Sequence, residues 1–424
     1  MKKFMWLGLA LIAGLLLLAV FIAWPREDIV ASSSPAAFAA TPANIARGAY
    51  LAKAGDCMAC HTVRGGAPFA GGRAIDTPFG RLLAPNITSH RQHGIGAWSP
   101  DDFWRALHNG KSKDGRLLYP AFPYTSYTKV TRDDADALYA FMQTVPAQAV
   151  ANPPHELRFP YNQQIMLAGW RLLYFTPGVY SANQGQTAQW NRGAYLVDGL
   201  GHCVACHSSR NRLGASAGGL SGGMIHTLGW YAPSLTSDAE AGLGSWEVPH
   251  IVDLLQTGIS PRATVFGPMA EVVQQSLQHL SNEDVTAMAV YLKALPAEKA
   301  APLEMPTGPQ VERVMALGKE LYGTHCLECH GADGKGLPPH YPPLEGNRAL
   351  TMAESVNPIR IVLNGGFAPG TKGNPRPYGM PPFSHLMNDN EVAAVVSYLR
   401  ASWGNKAPPV TAAQVNQYRA VPLD

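Results

Sequence analysis

The cysteines of this chain follow a single pattern. All six lie in three copies of the pentapeptide Cys-x-x-Cys-His, so no cysteine is left over. Two thiols three positions apart on one helical turn reach the two vinyl groups of a haem, and the histidine that follows then lies under the iron. Each copy therefore predicts a covalently bound haem c, and together they predict three haems and no disulfide. The attachment residues are Cys57, Cys60, Cys203, Cys206, Cys326 and Cys329, and the iron-ligating histidines are His61, His207 and His330.

Zinc sites and redox dithiols also use Cys-x-x-Cys. A closed zinc site needs four ligands, which these motifs would supply by pairing, and three motifs do not pair evenly. A thioredoxin-like dithiol does not need an adjacent histidine in every copy. The repetition of the whole pentapeptide therefore favours haem over both alternatives.

The motifs lie inside an internal repeat. Arg47-Gly48-Ala49-Tyr50-Leu51 precedes the first motif, Arg192-Gly193-Ala194-Tyr195-Leu196 precedes the second, and a looser version that begins at Leu317-Gly318 precedes the third. Each repeat ends in a similar apolar segment, at 137–141, 289–292 and 396–399. A small capping residue followed three positions later by an acid predicts the start of each closing helix, in the pairs Thr131 and Asp134, Ser281 and Asp284, and Asn388 and Glu391. Each repeat is thus predicted as a helix, a haem-binding turn, a long loop rich in glycine and proline, and a closing helix.

The N-terminus predicts the cellular compartment. Lys2 and Lys3 precede an almost unbroken apolar run at residues 4–24, which is long enough to cross a bilayer as a helix. The positive charges lie before the run, so the rest of the chain is expected on the outer side of the membrane. A cleaved signal peptide is the alternative, and it also exports the remainder. The net charge of +3 gives no support to nucleic-acid binding.

Methionines in the long loops are candidates for the sixth iron ligand. Met380 precedes two prolines shortly before the third closing segment, and Met269 lies at the corresponding place in the second repeat. Ligation by histidine and methionine raises the reduction potential of a haem. In the first repeat Phe122 stands at the expected position, and phenylalanine does not bind iron. Met142, His108 and an open iron site are the three alternatives there.

These repeats resemble the class I cytochrome c fold. The resemblance implies a mainly α protein with three tandem cytochrome c domains and an N-terminal transmembrane helix. We call the ranges 45–150, 189–299 and 310–403 repeats 1, 2 and 3. The remaining predicted segments are a membrane anchor or signal segment at 1–28, linkers at 29–44, 151–188 and 300–309, and a tail at 404–424.

The chain also resembles a narrower family, the triheme cytochrome c subunits of bacterial membrane-bound dehydrogenase complexes. The segments at 55–62, 65–72, 85–88, 190–197 and 267–273 carry this resemblance. It implies an electron-transfer subunit, not itself an enzyme, that takes electrons from a periplasmic catalytic subunit and passes them through three haems to ubiquinone. The expected location is the periplasmic side of the inner membrane. The catalytic partner would carry a molybdenum, flavin or quinone cofactor, and no nucleic acid is expected.

Two other functions compete with this one. A haem subunit of a terminal oxidase would have the same motifs, and a haem enzyme could use an open iron in repeat 1. Phe122 is the only feature that favours the second alternative. Many members of the family have methionine at that position, and those that resemble partners of aldehyde dehydrogenases of the molybdenum hydroxylase type more often carry phenylalanine. The resemblance thus favours an aldehyde or alcohol dehydrogenase as the partner.

Overall fold

The computed structural model describes residues 6, 8, 13–14, 40–238, 242–297, 303–337 and 340–421. Within these ranges the protein is mainly helical, and its nine strands are only two to four residues long. This composition confirms the predicted mainly α class. The chain divides into two compact units, of which one holds residues 1–182 and 198–202 and the other holds 183–197 and 203–424.

The predicted membrane-spanning helix at residues 4–24 falls almost wholly outside the described residues. Among the residues that are described, no helix is both long enough and apolar enough to cross a bilayer. The N-terminal anchor therefore stays a prediction.

The first unit contains repeat 1. Its helices are α1 (Pro42–Ala54), α2 (Cys57–His61), α3 (Pro100–Asn109), α4 (Tyr124–Tyr127), α5 (Arg132–Met142) and α6 (Gln164–Tyr174), and its strands are β1 (Ala74–Thr77), β2 (Gly80–Leu83) and β3 (Glu156–Leu157). The opening helix α1 packs against the closing helix α5, which also contacts α3. The three strands form an antiparallel sheet in which Ala74 pairs with Leu83 and Gly80 with Leu157.

The second unit contains most of repeat 2 and all of repeat 3. Repeat 2 supplies α7 (Ala188–Tyr195), a π-helical turn (Leu196–Leu200), a 3-10 turn (Cys203–Ala205), the strands β4 (Gly223–Ile225) and β5 (Trp230–Ala232), α8 (Val248–Thr257), β6 (Ile259–Ser260), β7 (Ala263–Thr264), α9 (Pro268–Gln275), a 3-10 turn (Leu277–His279) and α10 (Asn282–Lys293). The strand pairs β4–β5 and β6–β7 are antiparallel hairpins. The opening helix α7 packs against the closing helix α10.

Repeat 3 and the tail complete this unit. Their elements are α11 (Pro309–His325), α12 (Leu327–His330), α13 (Arg348–Thr351), α14 (Val356–Asn364), β8 (Gly366–Phe367), β9 (Gly379–Met380), α15 (Asp389–Ala401) and α16 (Ala412–Arg419). The opening helix α11 packs against the closing helix α15. The buried core of this repeat includes Ile359, Leu363, Val392 and Val396. Burial of these side chains removes apolar surface from water and holds the helices together.

The closing helices begin where the sequence predicts. The side chain of Thr131 accepts a hydrogen bond from the backbone of Asp134, and Ser281 accepts one from Asp284. Asn388 and Glu391 bond each other reciprocally in a capping box. These bonds satisfy backbone N–H groups that have no partner inside the helix, so they fix the helix start.

A glycine in each opening helix lies against the backbone of the closing helix. A Cβ atom at Gly48 would lie 1.9 Å from the carbonyl oxygen of Ala137, and one at Gly193 would lie 2.0 Å from that of Ala287. At Gly318 the distance to the carbonyl oxygen of Ala394 would be 2.2 Å. The two helices therefore cross at a separation that only glycine permits. This contact explains why glycine recurs before each Cys-x-x-Cys-His motif.

Candidate haem-binding sites

Each Cys-x-x-Cys-His motif folds into a helical turn directly after the opening helix of its repeat. The first motif forms α2. In the second motif the backbone N–H of His207 donates to Cys203 O at 2.9 Å, and in the third the backbone N–H of His330 donates to Cys326 O at 3.0 Å. One turn of helix thus carries both thiols and the histidine. All six cysteines are described, and their thiols are free.

The chain turns sharply before the first two motifs. Asp56 has φ of 47° and His202 has φ of 36°, and each directly precedes the first cysteine of its motif. This left-handed region is uncommon for residues other than glycine, although aspartate, asparagine and histidine enter it more readily than most. The hydroxyl of Tyr127 donates to Gly55 O at 3.2 Å and holds the turn before Cys57.

A proline carbonyl orients the histidine of every motif. Nδ1 of His61 donates to Pro85 O at 2.7 Å, and Nδ1 of His207 donates to Pro233 O at 2.6 Å. For His330 the acceptor is Pro342 O at 3.2 Å. The other ring nitrogen, Nε2, is then the one that carries a lone pair for a metal.

The surroundings of the three histidines favour the neutral ring that a metal requires. Burial lowers the pKa of His61 and of His330, although the hydrogen bonds to the proline carbonyls act in the opposite direction. The pKa of His207 falls to about 4, mainly through burial. A neutral imidazole coordinates a metal ion without first losing a proton.

Burial has the opposite effect on the thiols. It raises the pKa of Cys57 to about 12, with a further contribution from the charge of Asp56, and raises that of Cys326 to about 11. The pKa of Cys206 is raised too. Buried thiols of this kind favour the uncharged form, which suits the apolar surroundings of a haem edge.

Met380 and Cys326 pack against the same hydrophobic core of repeat 3. Met380 lies on β9, which pairs with β8 so that Met380 faces Gly366 across the hairpin. Met269 is the second residue of α9 and follows Gly267, whose φ is 57°. A Cβ atom at Gly267 would lie 2.7 Å from the ring of Trp230, so the loop before Met269 runs directly over this indole.

Phe122, Met269 and Met380 follow comparable structural landmarks along the chain of their repeats. In each repeat a helix (α3, α8 or α14) ends at a glycine with positive φ, namely Gly110, Gly258 or Gly365. A short antiparallel pairing follows in each case. Phe122, Met269 and Met380 follow these glycines by 12, 11 and 15 residues.

The ring of Phe122 contacts Tyr127 edge to face, with the ring centroids 5.3 Å apart. Burial raises the pKa of Tyr127 well above its usual value, and the neighbouring Cys57 and Cys60 contribute to the same shift. Phe122 is therefore an apolar neighbour of the site at the position where a sixth ligand was expected.

The two other candidates for that ligand have partners of their own. Met142 is only 2% exposed and belongs to the core at the end of α5. His108 stacks on Trp104 with the ring centroids 4.5 Å apart, and its Nδ1 donates to Thr128 O at 2.9 Å. The structure thus explains both side chains as parts of the packing of repeat 1.

Taken together, the three turns fit a covalent haem better than a bare metal ion. Each pairs two thiols with a histidine whose Nδ1 is bound to a proline carbonyl, so Nε2 is the available ring nitrogen. No group of three or more histidine, cysteine or acidic side chains in the described part of the chain could hold a metal ion by itself. Pro85 and Pro233 were missed by the sequence analysis, although Pro85 opens the segment 85–88 that the family resemblance had singled out.

Comparison with known proteins agrees with this geometry. The family model for cytochrome c matches residues 45–146 and 315–403. The gluconate 2-dehydrogenase cytochrome c subunit of Pantoea cypripedii is 40% identical, over 90% of this chain and 90% of that protein. The cytochrome c subunit of the quinone-type alcohol dehydrogenase of Gluconobacter oxydans is 38% identical, over 90% of this chain and 83% of that protein.

A longer protein is also similar. A nicotinate dehydrogenase subunit of Pseudomonas putida is 41% identical over 93% of this chain, and the match covers 33% of that protein. The chain therefore spans about a third of the length of this relative.

Proposed function

Because the chain belongs to the family of cytochrome c subunits of dehydrogenase complexes, we propose that it passes electrons from a catalytic dehydrogenase subunit through three covalent haems to membrane ubiquinone. The observation that carries this proposal is the threefold site. Every cysteine lies in a Cys-x-x-Cys-His turn, and in every turn Nδ1 of the histidine donates a hydrogen bond to a proline carbonyl oxygen. One such turn would indicate a single haem, whereas three in one chain indicate a path for electrons.

The residues of each turn have separate tasks. A bound haem supplies one-electron chemistry at its iron. The two thiols would fix the cofactor covalently, and the histidine would present Nε2 to its iron while the proline carbonyl holds the ring in place. Met269 and Met380 would offer a thioether as a further ligand in repeats 2 and 3. Phe122 would offer only an apolar ring in repeat 1.

In this proposal the partner is an aldehyde or alcohol dehydrogenase with a molybdenum, flavin or quinone cofactor. Relatives of this chain are named as subunits of alcohol, gluconate and fructose dehydrogenases, which supports this choice. The aldehyde dehydrogenase type rests on the family resemblance, which implies that phenylalanine at the position of Phe122 is more frequent among partners of such enzymes.

The proposed location is the periplasmic side of the inner membrane. Lys2 and Lys3 before the apolar run at 4–24 support an anchor whose N-terminus faces the cytoplasm. An anchored subunit stays beside the quinone pool, which gives its electrons a short route to ubiquinone.

The haem count tests the cofactor assignment. The intact mass of the mature protein should include three haems, and replacing both cysteines of one motif by serine should remove one haem and no more. The three double variants C57S/C60S, C203S/C206S and C326S/C329S serve as controls for one another. A mass that includes fewer than three haems in the parent protein would contradict the assignment.

Purification from detergent-solubilised membranes tests the partner. We expect a catalytic dehydrogenase subunit to co-purify, and its substrate should reduce the haem absorption bands within the complex. A short-chain ubiquinone added afterwards should reoxidise them. Co-purification with the core of a terminal oxidase, or haems that no alcohol or aldehyde reduces, would refute the proposal.

A further inference from the structure

A buried arginine of repeat 3 lies behind the histidine of repeat 2, within the same compact unit. Arg348 opens α13, and its Nη1 donates to Ser234 O at 3.0 Å. Ser234 directly follows Pro233, whose carbonyl oxygen accepts the hydrogen bond from His207. The guanidinium of Arg348 is thus one residue away from the group that orients a proposed iron ligand.

This arginine carries its charge without a counter-ion. Among the described residues no carboxylate forms a salt bridge with Arg348, and its side chain is held by Ser234 O and by the ring of Trp246, whose centroid lies 5.4 Å from the guanidinium carbon. Burial lowers the pKa of Arg348 to about 10, so the group is still positive at neutral pH. A cation–π contact and a carbonyl dipole stabilise such a charge without cancelling it.

Two adjacent carbonyl groups connect this charge to the histidine. Arg348 donates to Ser234 O at 3.0 Å, and His207 donates to Pro233 O, the preceding carbonyl, at 2.6 Å. Charges in a protein interior are screened less than in water, so the field of the buried guanidinium extends over this short distance.

We propose that Arg348 is a positioning residue that raises the reduction potential of the repeat 2 haem by placing a fixed positive charge behind His207. The inference rests on the proposed function, because it takes the repeat 2 motif as a haem site. An oxidised haem iron has one more positive charge than a reduced one, so a nearby cation disfavours the oxidised state. Repeat 3 would thereby set the redox behaviour of repeat 2, although Arg348 lies outside the range of that repeat.

A second buried arginine at the same surface provides a matched control. Arg360 of α14 is also fully buried, and its guanidinium carbon lies 4.7 Å from the centroid of the Trp230 ring. Trp230 begins β5, the strand that leads to Pro233. Loss of Arg360 therefore disturbs the packing of repeat 3 on repeat 2 without removing the charge next to Ser234.

The test is a redox titration of the full-length, haem-loaded protein, followed by absorption spectroscopy. The component of repeat 2 is identified as the one that disappears in C203S/C206S. For Arg348→Gln we expect the ratio of reduced to oxidised haem at this site to fall about tenfold, which corresponds to about 59 mV for a one-electron couple. Arg348→Lys keeps the positive charge, so the potential of this haem should stay near that of the parent. Arg360→Gln should also leave this potential close to that of the parent.

Each outcome separates the inference from the proposed function. An unchanged potential in Arg348→Gln, or equal shifts in Arg348→Gln, Arg348→Lys and Arg360→Gln, would overturn the electrostatic role. The second result would show that Arg348 acts only through packing. A parent protein whose mass lacks the haem of repeat 2 would instead refute the proposed function.

Discussion

The crossing of the opening and closing helices can be tested with two glycines of one helix. Gly318 and Gly323 both lie in α11. A Cβ atom at Gly318 would lie 2.2 Å from Ala394 O and 2.7 Å from Tyr398 Cβ, whereas one at Gly323 would have no atom within 4 Å. Alanine at the two positions changes helix propensity in the same way, so the difference between the variants isolates the contact.

The magnitude follows from the distances. The 2.2 Å separation at Gly318 is more than about 1 Å short of an ordinary contact of roughly 3.5 Å, so α11 and α15 must move apart by about that amount. Overpacking of this kind costs about 1–3 kcal/mol or more, and the better helix propensity of alanine returns about 1 kcal/mol. The blocking atom is a backbone carbonyl, which no side-chain rotation can move. We therefore expect Gly318→Ala to lower the free energy of unfolding by about 2 kcal/mol and Gly323→Ala to raise it by up to about 1 kcal/mol.

Thermal unfolding of the haem-loaded full chain, followed by circular dichroism and haem absorbance, measures both effects. For a domain of about 100 residues, 1 kcal/mol shifts the Tm by roughly 4–8 °C. Gly318→Ala should therefore lower the Tm of one transition by about 8–16 °C, and Gly323→Ala should leave it unchanged or raise it. If the Tm of the Gly318→Ala protein equals or exceeds that of the parent, α11 and α15 do not cross this closely.

Two further predictions concern the sixth iron ligands. Met380→Leu should lower the reduction potential of one haem in a redox titration, because it removes the proposed thioether. Met387→Leu changes a buried core methionine of the same repeat and should leave the potentials unchanged. Equal titrations for the two variants would exclude Met380 as a ligand. Difference spectra of the reduced protein should show that carbon monoxide binds one haem. Phe122→Met should abolish that binding, because the new methionine supplies a ligand. A parent protein that binds no carbon monoxide would show that another side chain, such as Met142 or His108, is the sixth ligand in repeat 1.

The sequence predicted the features of this protein that depend on neighbouring residues. The Cys-x-x-Cys-His turns close through hydrogen bonds between residues four apart, and the caps at Thr131, Ser281 and Asn388 act across three residues. Spacing alone carries such information. The assignment of Phe122 to the sixth-ligand position stays a prediction, which rests on the similar length of the loop before each closing helix.

Contacts between distant parts of the chain were not predictable in this way. The carbonyl that orients His207 belongs to Pro233, 26 residues further on, and the arginine behind it belongs to another repeat. A proline carbonyl has the same chemistry at every position, so only the path of the folded loop selects the one that reaches the histidine. Arg348 is equally inconspicuous in the sequence, because its burial depends on how repeat 3 packs against repeat 2.

The arginine before the glycine in the opening helices shows where this boundary lies. Arg47 pairs with Asp134 at 2.6 Å and Arg192 pairs with Asp284 at 2.7 Å, so in repeats 1 and 2 the acid that marks the start of the closing helix also binds the opening helix. The third repeat has Leu317 in place of the arginine, and there Glu391 turns back to the backbone N–H of Asn388. The same sequence signal thus predicts the helix start in all three repeats. It does not predict the partner of the acid, because that depends on which residue the opposite helix presents.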